Sequence, residues 1–147
     1  MYGTMLFLHI LGATIWTGGH IVLAVAILPQ VLKNKDVEFL SRFENGYEKV
    51  GIPALLIQVI TGLYLSFHLL PDFSQWFDFA QPISRIISIK LILLFLTFAL
   101  AIDARLRIIP NLSQDNLKAL AFHIIPVTII SVLFVFVGVS FRTGWLY

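Results

Sequence analysis

Four long apolar segments divide the chain and are separated by shorter polar stretches. They cover about residues 2–31, 52–70, 83–104 and 117–141, and each is near or above the ~20 residues that span a bilayer. The first segment has no charged side chain and lacks the basic start of a cleaved signal peptide, so we expect a retained helix. The pattern predicts a single transmembrane domain, 1–147, with four helices.

The polar stretch between the first two segments, residues 33–50, alternates charged side chains with apolar ones between Phe39 and Tyr47. Such alternation is typical of an amphipathic helix that lies along the membrane interface. We therefore expect a short interfacial helix there, within an all-α, integral membrane, up-down four-helix bundle. Pro126 predicts a kink in the fourth helix, because proline lacks a backbone N–H and crowds the preceding turn.

The composition narrows the class of protein further. Apolar residues make up 59% of the 147 residues and charged residues only 12%, about half the share in a typical soluble domain. A soluble domain of this size could not bury so much apolar surface, so membrane lipid is the expected surrounding. This excludes a cytosolic enzyme, a disordered chain and a nucleic-acid-binding module. The chain has no cysteine, which excludes disulfides, thiolate metal sites and iron–sulfur clusters.

The basic side chains are unevenly distributed between the two sides of the predicted bundle. The connections after the first and third segments hold Lys33, Lys35, Arg42, Lys49, Arg105, Arg107 and Lys118. The opposite side holds only Arg85 and Arg142. The positive-inside rule then predicts a multi-pass protein of the cell inner (cytoplasmic) membrane with both termini outside, facing the periplasm in a Gram-negative bacterium.

All four histidines, His9, His20, His68 and His123, fall within the predicted membrane helices, where ionisable side chains are costly and usually functional. His9 and His20 are eleven residues apart, which places them ~20° apart around one helix and ~16 Å apart along it. In an up-down bundle His68 matches the depth of His9, and His123 matches that of His20. This is the arrangement of a transmembrane di-haem cytochrome b, so we expect two bis-histidine haem b sites.

Other residues on these helices fit a bound ring. Gly12 and Gly19 leave room for a flat group close to the backbone. Trp16 lies on the face of His9 and is expected to pack either on that ring or in the bundle core. Lys90, in the third helix, either snorkels to the interface or neutralises a haem propionate or a substrate carboxylate. The simpler interpretation of the histidines is hydrogen bonding across packed helices.

Copper is the alternative metal. Met1, Met5 and His9 recur at every fourth position along one helix face, with His68 nearby, and thioether and imidazole ligands suit Cu(I). The chain has only these two methionines, however, and no path of soft ligands continues inward. The pattern therefore favours haem over copper.

The first helix, LHILGATIWTGGH from Leu8 to His20, resembles the opening helix of the copper-resistance protein D (CopD) family. It is also similar to that of the HemJ-type protoporphyrinogen oxidases, small four-helix membrane proteins that bind haem b. The spacing from Glu44 to Pro53 and then TGLYL resembles the HemJ-type second helix. ISIKLILLF resembles the lysine-bearing third helix of both groups, and FHIIP is similar to the start of the HemJ-type fourth helix.

The resemblance implies functional roles for His9 and Lys90, which match the histidine and lysine regarded as functional in HemJ-type enzymes. The chain departs from that family at three places. Gln30 stands where those enzymes typically carry arginine, His123 and its neighbour stand in place of Asn–Glu, and His20 replaces an apolar residue. These departures supply the additional histidines that a second haem would need.

Together these features predict a haem b-binding membrane protein for transmembrane or quinol-linked electron transfer. If it is an enzyme, we expect a membrane-bound haem oxidoreductase that takes electrons from a quinol and passes them to a periplasmic redox partner. Two alternatives stay open: a HemJ-like protoporphyrinogen IX oxidase with one haem b and a porphyrinogen substrate, or a CopD-like copper-transporting or copper-binding protein. A homo-oligomer is compatible with the sequence.

Overall fold

The computed structural model describes all residues, 1–147, and consists of helices without any β-strand. Its four long helices are α1 (Tyr2–Asn34), α2 (Val37–Leu69), α3 (Pro82–Asn111) and α4 (Leu117–Thr143). Each is long and apolar enough to cross a membrane. The prediction of an all-α protein with four candidate membrane-spanning helices is confirmed.

Two of the helices contain a π-helical turn directly before a proline. In α1 this turn covers Leu23–Ile27 and precedes Pro29, and in α3 it covers Ala104–Ile108 and precedes Pro110. Proline cannot donate a hydrogen bond to the carbonyl four residues earlier, and its ring clashes with that carbonyl in a regular helix. The wider π-turn accommodates both effects, so both helices continue beyond the ends predicted from the sequence.

The amphipathic stretch is the first part of α2 and not a separate helix. Asp36 caps the N-terminus of α2, and its side chain accepts a hydrogen bond from the backbone N–H of Phe39 at 2.9 Å. Lys35, with a φ of 53°, adopts the left-handed conformation that reverses the chain between α1 and α2. From Val37 to Leu69 the helix is continuous, although Pro53 lies within it.

The helices pack in the order α2, α1, α4, α3. α1 packs against α2 and α4, and α4 packs against α3, whereas α2 and α3 have no comparably close contact along their length. All packed pairs run antiparallel. We call the end that holds the α1–α2 and α3–α4 turns the basic end, and the end that holds both termini and the α2–α3 loop the terminal end.

The largest apolar core lies toward the basic end, where the two π-turns pack together with the start of α4. Its buried residues are Leu23, Ile27, Leu28, Val31, Leu40, Ala104, Ile108, Leu117, Leu120, Ala121 and Ile124. Large apolar side chains on all four helices point away from the protein, and Phe7, Phe95 and Phe122 are each more than 60% exposed. A surface of this kind requires lipid around it.

The α2–α3 loop is anchored to the bundle by one tryptophan. Trp76, in a short helix at Phe73–Phe77, is 1% exposed, and its indole N–H donates to the carbonyl of Leu70 at 2.9 Å. The hydroxyl of Ser88 on α3 donates in turn to the carbonyl of Trp76. Hydrogen bonds from Ser74 hold the pKa of Asp72, at the start of this short helix, below its ordinary value.

Candidate functional site

The ring of His9 is held against α2 through one nitrogen. Its Nδ1 lies 3.1 Å from the carbonyl oxygen of Gln58 and 3.0 Å from the hydroxyl of Thr61. That hydroxyl already donates to the carbonyl of Ile57, so Nδ1 must carry the proton and donate. Nε2 makes no hydrogen bond, and its lone pair is therefore free.

His20 is held in the same way, but by its own helix. Its Nδ1 lies 2.9 Å from the carbonyl oxygen of Trp16, and the Tyr47 hydroxyl donates to that oxygen at 3.0 Å. The indole of Trp16 lies 4.3 Å from the imidazole and the phenol ring of Tyr47 lies edge-on at 5.5 Å, both measured between ring centroids. The side chain is 8% exposed, and its Nε2 has no hydrogen-bond partner.

These two imidazoles share a feature that the other two lack. In each, Nδ1–H is directed at a backbone carbonyl, which fixes both the tautomer and the orientation of the ring, while Nε2 has no hydrogen-bond partner. α1 is regular α-helix from Tyr2 to Val22, so the ~16 Å rise from His9 to His20 holds in the structure. The protein thus presents two oriented nitrogen ligands at two depths along one helix.

His68 lies outside this arrangement. It is exposed near the terminal end of α2, and its ring lies 5.0 Å from that of Tyr2 and 6.3 Å from that of Tyr64. The ring of His9 instead packs at Gly62, where an added Cβ would lie 3.1 Å from its Cε1. His68 follows Gly62 by six residues, or ~9 Å along the helix. The structure does not bring His9 and His68 together.

His123 belongs to a different polar cluster, near the basic end. Its Nε2 lies 2.6 Å from a carboxylate oxygen of Asp103 on α3, and its Nδ1 bonds a carbonyl of its own helix. Arg107 donates to the same Asp103 oxygen at 2.9 Å. The backbone carbonyl of His20 accepts a hydrogen bond from the hydroxyl of Thr128 on α4. Thr128 lies five residues, or ~7.5 Å along the helix, beyond His123. The structure does not bring His20 and His123 together either.

Lys90 points into the bundle. Its Nζ lies 5.6 Å from the centre of the Phe141 ring and would lie 3.4 Å from a Cβ added at Gly138, both on α4. It has no carboxylate partner. An ammonium beside an aromatic face gains a modest cation–π attraction.

Gly12 and Gly19 face protein atoms and not an open space. A Cβ at Gly12 would lie 2.8 Å from Cγ of Gln58 and 2.9 Å from the carbonyl oxygen of Ala54. A Cβ at Gly19 would overlap the ring of Tyr47. In this structure the two glycines allow α2 to approach α1 closely, which is the usual role of small residues between membrane helices.

For several residues that contact the histidines, the sequence carries only a weak signal or none. Gln58 and Thr61 are two polar residues in an otherwise apolar stretch of α2, a signal that could have identified them as partners of a buried group. Tyr47 and Asp103 gave no comparable signal, because each lies among other polar residues. Trp16 adds an unusual feature: its indole Nε1 is buried without any hydrogen-bond partner.

The ligands expected for copper lie on α1 and α2 toward the terminal end. Met1 is 86% exposed, and His68, the expected fourth ligand, lies on α2 beside aromatic rings. The structure contains no group of three or more His, Cys, Asp or Glu side chains that could hold a metal ion.

Searches of protein-family models, of curated proteins and of solved structures find no match to this chain. The resemblance to CopD and HemJ-type proteins therefore stays an expectation that rests on the sequence motifs.

Proposed function

We propose that this protein is a haem b-binding membrane protein that transfers electrons. One observation carries the proposal: His9 and His20 are each anchored through Nδ1 to a backbone carbonyl, and each keeps an Nε2 without a partner. A neutral, oriented imidazole is the nitrogen ligand that haem iron accepts. No other side chain in the chain combines these properties.

The surroundings of these ligands also fit a haem. The aromatic ring of Trp16 lies against His20, and its buried indole N–H has no acceptor, a deficit that an acceptor on a bound group would satisfy. The loose contact between α2 and α3 leaves one side of the bundle without close helix packing. A bound haem would supply reversible one-electron chemistry.

In this proposal His9 and His20 would hold the haem groups from α1, and His68 and His123 would be further candidate ligands only after a rearrangement, because the structure does not bring either of them to His9 or His20. His123 would first have to release Asp103, which Arg107 could then neutralise alone. We further propose a quinol as the electron donor and a redox partner outside the inner membrane as the acceptor.

A redox difference spectrum of the purified protein, with a haem-to-protein ratio, tests this function. We expect the sharp reduced bands of haem b and a ratio near two. His9→Ala and His20→Ala should each remove one haem, whereas Thr14→Ala, at an exposed position of the same helix, should remove none. A colourless protein with stoichiometric copper would overturn the proposal, and a ratio near one would favour a single-haem protein.

A second candidate, oxidation of a porphyrinogen, is favoured by Lys90. Its ammonium lies beside Phe141 and Gly138 without a carboxylate partner from the protein, and porphyrinogens carry carboxylates that could supply the missing partner. The test is to add protoporphyrinogen IX and a quinone as the electron acceptor, and to follow the fluorescence of the porphyrin formed.

For this candidate we expect Lys90→Met to lower the rate by at least tenfold, because removing one member of a buried ionic contact leaves the other unpaired. Lys118→Met is the matched control, since Lys118 is exposed near the basic end and should be silent. Equal rates in the two variants, or no porphyrin formed by the unmodified protein, would exclude this second function.

A further inference from the structure

A groove of about 230 Å³ runs along the outside of the α1–α2 pair. Gly12 and Ala54 form its floor, because these two small, buried residues face each other between the helices. Larger apolar side chains form its walls, among them Leu8, Leu11 and Ile15 of α1 and Val50, Pro53 and Ile57 of α2. The groove is thus apolar along its length and faces the surrounding membrane.

The groove has one charged residue, Lys49, at its end nearest the basic end. Lys49 is exposed and has no acidic partner, whereas Arg42, Arg105 and Arg107 are all paired with carboxylates. It is also the last charged residue before the long uncharged stretch of α2, so it marks the level of the membrane surface.

The length of the groove matches one leaflet. From Lys49 to Ile57 the helix rises ~12 Å, close to half of the ~30 Å hydrocarbon core. The groove therefore extends from the headgroup region to near the middle of the bilayer, with a cation at the surface and apolar walls below. This is the arrangement of an anionic phospholipid, a charged headgroup above an acyl chain.

We propose that the groove is a binding site for an anionic phospholipid of the surrounding membrane, with its phosphate at Lys49 and an acyl chain between α1 and α2. The site is independent of the proposed haem function, since it lies on the lipid-facing side of the helix pair and uses none of the histidines. It would give the protein a preference for membranes, or leaflets, rich in negatively charged lipid.

Lipid retention measured by native mass spectrometry tests the headgroup contact. The full chain is reconstituted with equal amounts of phosphatidylglycerol and phosphatidylcholine of identical acyl chains. We expect phosphatidylglycerol to be retained preferentially. In Lys49→Gln the ratio of retained phosphatidylglycerol to phosphatidylcholine should fall about fivefold, since one cation near an anionic surface contributes about 1 kcal/mol. Lys49→Arg should retain the preference, and Lys33→Gln, which removes an exposed cation of α1 outside the groove, should leave it unchanged.

A second pair of variants tests the acyl-chain contact. Ile57 lines the groove and Ile60, one turn further along α2, does not, although both are exposed. Ile57→Trp should fill the groove and lower the number of retained lipids by one, whereas Ile60→Trp should not. Equal retention of the two lipids, or equal effects of the two tryptophans, would overturn the proposal. A shift in oligomer mass in Ile57→Trp, without a change in lipid retention, would instead show that a second copy of the chain occupies the groove.

Discussion

At the scale of single residues, the four histidines divide by what their ring nitrogens contact. His9 and His20 use one nitrogen for a carbonyl and keep the other free, His123 uses both, and His68 contacts aromatic rings. A histidine with both nitrogens occupied is a structural link between helices, while one with a single anchored nitrogen is ready to bind a ligand. The carbonyl and hydroxyl that anchor His9 therefore mark it as a candidate ligand as much as its residue type does.

The hydroxyl of Thr61 offers a direct test of that anchoring. Thr61→Val keeps the side-chain shape but removes the oxygen that lies 3.0 Å from Nδ1 of His9. If His9 binds haem, we expect haem affinity to fall by ten- to a hundredfold, which is the typical effect of losing such a supporting contact. The rate of haem transfer to apomyoglobin measures haem dissociation, which we expect to be faster in this variant.

Thr14→Val is the matched control for this measurement. Thr14 also donates to the carbonyl four residues earlier, at 2.9 Å, but it is exposed and far from the imidazole. Identical haem affinities in Thr61→Val and Thr14→Val would show that His9 is not a haem ligand, or that the carbonyl of Gln58 is a sufficient anchor. His9→Ala separates these two outcomes.

At the scale of the helices, glycines determine how closely α1 and α2 approach. Gly12 faces the backbone of α2 at the carbonyl of Ala54, and this contact brings His9 to Thr61 one turn away. Gly18, on another face of α1, has no atom within 4 Å of the position of a Cβ. Two glycines in the same helix therefore have different roles, although both occur in an apolar context.

Alanine at these two positions should have opposite effects on stability. In Gly12→Ala the new methyl group would press on a backbone oxygen that cannot move alone, so we expect a loss of about 1–3 kcal/mol in the free energy of unfolding. Gly18→Ala should be neutral or stabilise by up to about 1 kcal/mol, because alanine favours helix and meets no atom. Reversible unfolding in mixed micelles compares the two. Equal stability would contradict the close contact at Gly12.

The sequence predicts the helices well and the contacts between them poorly. Four apolar segments are enough to identify the four helices, because spanning length and hydropathy are properties of local sequence. The observed ends of α1 and α3 lie beyond the predicted ends. In each helix a π-turn precedes a proline that a rule for regular helices counts as a stop, and the helix continues past it. Pairing histidines by depth ignores rotation about each helix axis, and rotation directs His123 toward Asp103.

At the scale of the whole molecule, charge and packing are both asymmetric. The ion pairs Arg42–Glu38, Arg105–Glu48 and Arg107–Asp103 lie toward the basic end, and the second of these joins α2 to α3 where the helices otherwise lack close contact. Exposed pairs of this kind add little to stability. The positive-inside rule instead uses the location of Lys and Arg residues, which are concentrated toward this end, so we predict that the basic end lies in the cytoplasm.

This orientation can be tested without altering any native thiol, since the chain contains no cysteine. We expect Gly3→Cys and Thr143→Cys, at the terminal end, to react with a membrane-impermeant maleimide added to intact cells. Lys35→Cys and Asp115→Cys, in the two turns of the basic end, should react only after the membrane is permeabilised. The reason is the count of Lys and Arg residues, seven toward the basic end against two toward the terminal end. The reverse pattern would place both termini in the cytoplasm, and the proposed acceptor would then have to be a cytoplasmic protein. Labelling of both ends in intact cells would mean a mixed population without a fixed orientation, in which directional electron transfer across the membrane would not occur.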